Sequence, residues 1–259
     1  MVATIHPTAI IDRAAELAEG VSVGPYAIIG AGVVVGAGSR IGPHAIVLGP
    51  TRLGQDNEVW QFASIGDVPQ DKKYGGEETM LEIGDRNRFR ECATVHRGTR
   101  SGGGVTRIGN DNLMMAYSHV AHDCIVASHC VLANYAGLAG HVELDDWVIL
   151  GGYSGVHQFC KVGAHAFLAN NATATRDVPP YVMVAGNPAV PKGINSEGLK
   201  RRGFTAAEIA NIKNGYKVLY RSGLKLAEAS AELALRAASH PELRRFVDFM
   251  PRVTRSLVR

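Results

Sequence analysis

Val21-Ser22-Val23-Gly24-Pro25-Tyr26-Ala27-Ile28-Ile29-Gly30-Ala31-Gly32-Val33-Val34-Val35-Gly36-Ala37-Gly38-Ser39-Arg40-Ile41 carries a branched aliphatic at every sixth position, and the rest of the chain keeps that step. Counting back from Val23 gives Leu17, Ile11 and Ile5; counting on from Ile41 gives Val47, Leu53, Val59 and Ile65. The step lapses at Asp71 and Glu77 and resumes in phase at Ile83, Phe89 and Val95. It slips by one residue across a glycine-rich segment, then runs from Ile108 in sixes to Leu168. The residue two before each aliphatic is usually small: Ala27, Ser39, Ala45, Ala63, Ser118, Cys124, Cys130, Cys160. The residue after it is often glycine, as at Gly24, Gly36, Gly42, Gly66 and Gly163, which fits a sharp turn of positive φ.

Six is neither the period of a helix nor that of a flat strand. It fits a strand of about four or five residues followed by a tight corner. Three such units close a triangular coil of 18 residues whose aliphatics point inward, with successive coils about 4.8 Å apart. The 25 apolar positions on this lattice predict roughly eight or nine coils, a prism on the order of 40 Å long.

The totals allow such a domain and exclude several function classes. The 259 residues are 46% apolar and 20% charged, as in an ordinary globular protein. No apolar run is long enough for a membrane span and no signal-peptide pattern opens the chain, so a cytoplasmic protein is expected. Cys92, Cys124, Cys130 and Cys160 form no CxxC and suggest neither a disulfide framework nor a zinc knuckle. The net charge of +3 hides an asymmetry: residues 190–259 hold 14 Lys+Arg against 6 Asp+Glu, the first 189 hold 13 against 18. A basic C-terminal part suggests an anionic partner there. Without aromatics interleaved among those charges, nucleic acid is not expected.

Two insertions interrupt the lattice, at about 67–80 and 98–105, and their charged or glycine-rich composition suits loops that reach over a neighbouring surface. Beyond Asp177-Val178-Pro179-Pro180-Tyr181 and Gly186-Asn187-Pro188 the pattern turns helical. Thr205 and Glu208 form a capping box ahead of Ile209, Ile212, Tyr216 and Leu219, with a stop at Ser222-Gly223. A second amphipathic segment carries Leu226, Leu233 and Ala237, and a third starts near Pro241 with Leu243, Phe246 and Phe249. The domains expected are therefore 1–189, the prism, and 190–259, a small α-helical domain.

Histidines gather on the second half of the prism: His96, His119, His122, His141 and His157. His122 and His141 are 19 residues apart, so they should lie about one coil apart at one edge, with His119 and His122 flanking a corner. Three readings stay open on the residues alone. The imidazoles are surface groups of a non-enzymatic structural β-helix, or they bind zinc, or one of them, neutral near pH 7, is a general base.

The hexads resemble those of the hexapeptide-repeat acyltransferases, which implies a mainly β fold, a left-handed parallel β-helix, followed by the C-terminal helices. A zinc-dependent hydratase of the γ-carbonic-anhydrase type shares that β-helix, but its histidine spacing is not reproduced here. Longer strings narrow the resemblance: Gln61-Phe62-Ala63-Ser64-Ile65-Gly66, Thr94-Val95-His96-Arg97-Gly98-Thr99, His119-Val120-Ala121-His122-Asp123-Cys124, Val156-His157-Gln158-Phe159-Cys160 and Glu197-Gly198-Leu199-Lys200-Arg201-Arg202-Gly203-Phe204 are similar to the UDP-N-acetylglucosamine O-acyltransferases of lipid A biosynthesis. That resemblance implies transfer of an (R)-3-hydroxyacyl group from acyl carrier protein to the 3-hydroxyl of UDP-N-acetylglucosamine. It also implies a homotrimer, no covalent acyl-enzyme, no metal, and no cofactor beyond the carrier's phosphopantetheine.

By the same resemblance His122 is the general base, Asp123 orients it, and the backbone N–H of Gly140 faces the oxyanion. Asp71 and Lys73 match positions that reach across to an adjacent subunit's site. His96, His119, His141, His157 and Gln158 match positions lining the cleft, and Asn195, Glu197, Arg201 and Arg202 match the nucleotide end. The chain departs from long-chain members at Asn170, where they carry the glycine that closes the acyl channel. A side chain there should exclude the last methylenes and favour an acyl chain of about ten to twelve carbons. The basic C-terminal region is the expected dock for the acidic carrier protein.

Overall fold

The computed structural model describes residues 2–259. Short strands, most of two residues, stack into three sheets of eleven, nine and eight strands among the described residues. The first face starts at Thr4–Ile5, the second at Ile10–Ile11 and the third at Glu16–Leu17. In regular coils each residue pairs in parallel with the one 18 positions later, as Thr4 with Ser22 and His119 with Gly137. Three hexads therefore make one coil, and the nine strands of the second face match the expected eight or nine coils.

The lattice aliphatics from Val23 to Leu168 are all buried, while Ile5 in the first coil is 46% exposed. The small residues two positions earlier are buried as well, with Ala27, Ser39, Cys124 and Ala166 at 0% exposure. They fill the corners, where the prism is narrowest. At the corner between the third and first faces some of these positions are asparagine, and there the side chains continue the backbone ladder. Asn57 Oδ1 accepts from the N–H of Asn87 at 3.0 Å, Asn87 Oδ1 from that of Asn112 at 3.0 Å, and Asn112 Oδ1 from that of Cys130 at 2.7 Å. Each buried amide is thereby satisfied inside an apolar column.

The turn chemistry differs from the expectation. The glycines after the lattice aliphatics, Gly66 excepted at φ 80°, do not adopt positive φ. Their reason is proximity: a Cβ on Gly36 would stand 2.4 Å from the carbonyl carbon of Gly54 in the next coil. The left-handed conformation falls three residues after the aliphatic instead, at Tyr26, His44, Asp123, Tyr135, His141, Trp147 and Phe159. Such a conformation costs an ordinary residue roughly 1–2 kcal/mol. Ring stacking from coil to coil offsets it: Tyr117, Tyr135 and Tyr153 stack at centroid distances of 4.9 and 4.7 Å, and His129 on Trp147 at 4.1 Å.

The first insertion leaves the second face after Ser64–Asp67 and returns at Met80–Ile83 of the third. The second leaves after Thr94–His96 and returns at Val105–Ile108. Both insertions thus belong to one edge, between the second and third faces.

Past the prism, Val190–Ile194 pairs antiparallel with Val182–Ala185, so the sheet continues five residues beyond position 189 before the helices begin. The helices are α1 (Ser196–Arg201), α2 (Ala206–Arg221), α3 (Leu226–Ala237) and α4 (Arg244–Phe249). Thr205 and Glu208 make the expected capping box on α2. Tyr181 joins the helices to the end of the prism: its hydroxyl donates to the Glu242 carbonyl at 2.7 Å and its ring meets that of Phe246 at 5.3 Å. The last residues fold back over the third face, where buried Asp177 accepts from the N–H groups of Lys161, Thr254 and Arg255 at 2.8, 2.8 and 3.0 Å. Among the described residues no helix is long and apolar enough to cross a membrane.

Candidate active site

Along the edge between the second and third faces, Asp123, His141 and Phe159 occupy successive left-handed corners. The corner geometry that elsewhere stacks aromatic rings here places a carboxylate beneath an imidazole. His141 stacks on Phe159 at 4.5 Å, and its Nε2 lies 3.7 Å from Asp123 Oδ2. His122 precedes the corner, and its Nδ1–H donates to Asp123 Oδ2 at 2.7 Å. This bond fixes the tautomer and leaves Nε2 with a free lone pair.

The carboxylate is held from the second insertion. The Thr99 N–H donates to Asp123 Oδ1 at 2.8 Å and its hydroxyl to Oδ2 at 2.6 Å, while Asp123's own N–H donates to Thr106 Oγ1 at 2.7 Å. With Gly102 directly over it, the Asp123 side chain is 0% exposed, whereas that of His122 is 11% exposed. A shielded, hydrogen-bonded carboxylate beside an accessible imidazole is an arrangement that can take up a proton at Nε2. Thr99 and Thr106 are the functional residues that sequence reasoning misses. Thr106 occupies a small-residue lattice position like many others, and Thr99 lies in a loop whose path no periodicity describes.

Gly140 sits against the His122 ring: a Cβ there would stand 2.5 Å from Cε1 and 2.7 Å from Nε2. Its glycine identity therefore has a local cause. His96 and His119 flank the dyad on the second face, with ring centroids 5.3 Å apart. His96 Nδ1–H donates to the Val68 carbonyl at 2.5 Å, and His119 Nδ1 pairs with Thr94 Oγ1 at 2.8 Å. Burial, with His96 and His122 as further causes, lowers the pKa of His119 to about 4, so it is neutral near pH 7. Burial also lowers that of His141, against the opposing pull of Asp123. His157 and Gln158 follow at the next corner of the same edge, His157 exposed.

The remaining expected residues divide between this edge and the other two. The first insertion returns over its own edge, where the Val68 carbonyl accepts from His96 and Glu77 Oε1 from the Arg100 N–H at 3.3 Å, and Asp71 opposes the lowering of the His141 pKa in the same chain. Lys73 is exposed on that loop, its N–H bonded to Asp71 Oδ1 at 3.0 Å. Asn195 caps α1 and donates to the His165 carbonyl at 3.0 Å, and Arg202 meets His165 Nδ1 at 3.2 Å and lies over the Trp147 ring at 5.1 Å. These contacts are on the edge between the third and first faces, with Glu197 and Arg201 exposed on the same short helix. Asn170 is on the third edge, between the first and second faces, where its Oδ1 accepts from the Gly152 N–H at 3.0 Å. Within one chain none of these five is brought to His122.

His122, Asp123 and His141 also present ligand atoms within 4.8 Å of one another. His122 Nδ1 and both Asp123 oxygens are already engaged. Uncommitted nitrogens remain on two residues only, His122 and His141, where a catalytic zinc takes three protein ligands. Cys124 offers no nucleophile: burial pushes its thiol up to about 12.

Comparison with known proteins gives one consistent neighbourhood. A family model described as Udp N-acetylglucosamine O-acyltransferase, domain 2, matches residues 177–258, and a bacterial transferase hexapeptide model matches residues 106–140. The acyl-[acyl-carrier-protein]--UDP-N-acetylglucosamine O-acyltransferase of Janthinobacterium sp. (strain Marseille) is 56% identical over 255 residues, covering 96% of this chain and 97% of that one. That of Thiobacillus denitrificans is 54% identical over 257 residues, covering 99% and 100%. Among solved structures, the UDP-N-acetylglucosamine acyltransferase of Francisella novicida superposes with a TM-score of 0.96 at 44% identity over 99% of this chain and 94% of that one. That of Moraxella catarrhalis RH4 gives 0.96 at 45% identity over 98% and 99%.

Proposed function

The chain belongs to the UDP-N-acetylglucosamine O-acyltransferase family, the enzymes of the first step of lipid A biosynthesis, and we propose that its acyl transfer runs through the His122–Asp123 dyad. The observation that carries this reading is the 2.7 Å bond from His122 Nδ1 to a carboxylate locked by Thr99. His122 Nε2 takes the proton of the sugar 3-hydroxyl as that oxygen attacks the thioester carbon of the acyl carrier protein. The C–S bond then breaks, and the imidazolium returns its proton to the departing thiolate. Asp123 stabilises the imidazolium between these steps. The N–H of Gly140, which meets no acceptor among the described residues, supplies a donor for the developing oxyanion. The thioester is already activated, so no acyl-enzyme is required.

The distribution of the other residues supports a site shared between chains. Asn170 and the set Asn195, Glu197, Arg201 and Arg202 flank the two borders of the first face, while the dyad lies on the opposite edge. A homotrimer that sets the first face of one chain against the dyad edge of the next assembles all of them. The guanidinium groups then suit the nucleotide phosphates and Asn170 limits the acyl chain. The enzyme works in the cytoplasm in this reading.

The test incubates UDP-N-acetylglucosamine with mixed 3-hydroxyacyl carrier proteins and reads product mass for the wild type and His122→Ala. Transfer should fall by about 10²–10⁴-fold in a folded variant. Near wild-type transfer by folded His122→Ala would remove the dyad from the mechanism.

A further inference from the structure

Along the dyad edge the carbonyl of a corner residue is covered by the N–H of the residue 19 positions on, as His122 by His141 at 3.0 Å and Gly140 by Phe159 at 3.2 Å. Gly49 occupies the same corner two coils before Val95, and the N–H that the register assigns to its carbonyl is that of Val68. The first insertion departs at this point, so the Val68 N–H turns to Asp67 Oδ1 at 2.7 Å instead. A guanidinium takes its place. Arg97 Nη1 donates to the Gly49 carbonyl, and Nη2 lies 3.5 Å from the Tyr74 hydroxyl in the middle of the insertion.

The same residue closes the base of the loop. The Arg97 N–H donates to the Asp67 carbonyl at 3.1 Å where the insertion leaves, and the Gly98 N–H to the Met80 carbonyl at 3.2 Å where it returns. Arg97 is 9% exposed, its Nε is buried without a partner, and among the described residues no carboxylate lies within ion-pair distance of it. Burying a cation without a counter-ion costs stability, and an apolar side chain of similar length could fill the space. Such a side chain could not donate to Gly49 and to Tyr74 along the two arms of a rigid fork. The charge therefore serves the path of the loop rather than the stability of the prism.

The first group on that path is the Val68 carbonyl, which accepts from His96 Nδ1–H. His96 precedes Arg97 in the chain, is 6% exposed, and has its ring 5.3 Å from that of His119. The bond to Val68 fixes its tautomer and leaves Nε2 with a lone pair. We propose that Arg97 is a positioning residue for the transfer reaction: by holding the Gly49 carbonyl in place of the Val68 N–H, it turns the Val68 carbonyl onto His96 and sets the tautomer and orientation of that imidazole. This rests on the acyl-transfer reading for its assay, and not on which group takes the proton.

The experiment measures kcat/KM for acyl transfer by Arg97→Met, Arg97→Lys, His96→Ala and the double variant Arg97→Met/His96→Ala, each first shown to be folded by circular dichroism. Arg97→Met should lower kcat/KM about tenfold, and Arg97→Lys, which keeps a donor for Gly49, should recover part of the loss. In the His96→Ala background Arg97→Met should cost no more than about twofold, because the imidazole through which it acts is gone. A loss that adds in full to that of His96→Ala would make Arg97 a packing residue and overturn the proposal, as would wild-type turnover by Arg97→Met. Should Arg97→Met fail to fold, the same cycle with Arg97→Lys decides: its loss disappears with His96→Ala or the proposal falls. Near wild-type transfer by His122→Ala would fault the dyad and leave the coupling of Arg97 to His96, read in the same assay, to stand on its own.

Discussion

Thr99 Oγ1 lies 2.6 Å from Asp123 Oδ2 while the N–H of the same threonine lies 2.8 Å from Oδ1, so one residue of an inserted loop grips both oxygens of the carboxylate that orients His122. Thr99→Val keeps the shape and the backbone donor and removes the hydroxyl. The carboxylate then loses one of its bonds and holds the imidazole less well, and kcat should fall about tenfold with KM little changed. Steady-state kinetics of the folded variant check this; an unchanged kcat would make Thr99 a loop anchor only.

Gly140→Ala inserts a methyl group 2.5 Å from His122 Cε1. The corner backbone accepts alanine, so the protein should fold, but the ring must move. A displacement of about 1 Å at a reacting group costs on the order of 100-fold in rate. Gly140→Ala should therefore lose kcat with a thermal midpoint close to the wild type, and a fully active Gly140→Ala would mean that the ring tolerates another position.

Asn170 presents its amide at an edge remote from its own chain's dyad, fixed by the Gly152 N–H. If it closes the acyl channel of a neighbouring chain, a ladder of 3-hydroxyacyl carrier proteins should peak at about ten to twelve carbons, each further methylene losing up to tenfold. Asn170→Gly should move the peak to longer chains. A wild-type preference for fourteen carbons, or an unmoved peak in the variant, would contradict the assignment.

His119 is neutral in the folded protein down to about pH 4, whereas in the unfolded chain an imidazole protonates near 6.5. Its folded pKa is depressed, so acid favours the unfolded state. The contribution is fully present above pH 6.5 and is lost as pH falls from 6.5 to about 4, an effect on the order of 3 kcal/mol. Thermal midpoints measured at pH 7 and pH 5 should show a smaller acid-induced drop in His119→Gln than in the wild type. Equal drops would assign the acid sensitivity to other groups.

The architecture was legible because its cause is local and repeated. An inward aliphatic every six residues can be read at Val23, Ile29 and Val35 without knowing what lies above them, since each coil makes the same demand. The capping box at Thr205 and Glu208 was legible for the same reason. Gly36 and Gly163 were visible as a pattern but misread in cause, because the atoms they avoid, the carbonyl of Gly54 and the ring of Pro180, belong to the next coil.

For the site, the sequence by itself determined that imidazoles and a carboxylate recur on one side of the lattice, and the spacing of His122 and His141 placed them one coil apart, where their rings do meet at 5.1 Å. Only the tertiary structure decided what holds them. Thr99 and Asp123 are 24 residues apart and meet because an insertion interrupts the period and returns over its own edge. Arg255 and Phe159 meet because buried Asp177 pulls the last strand of chain back over the third face. A repeat fixes positions by counting; loops and termini are fixed by the hydrogen bonds they find, and those depend on the assembled surface.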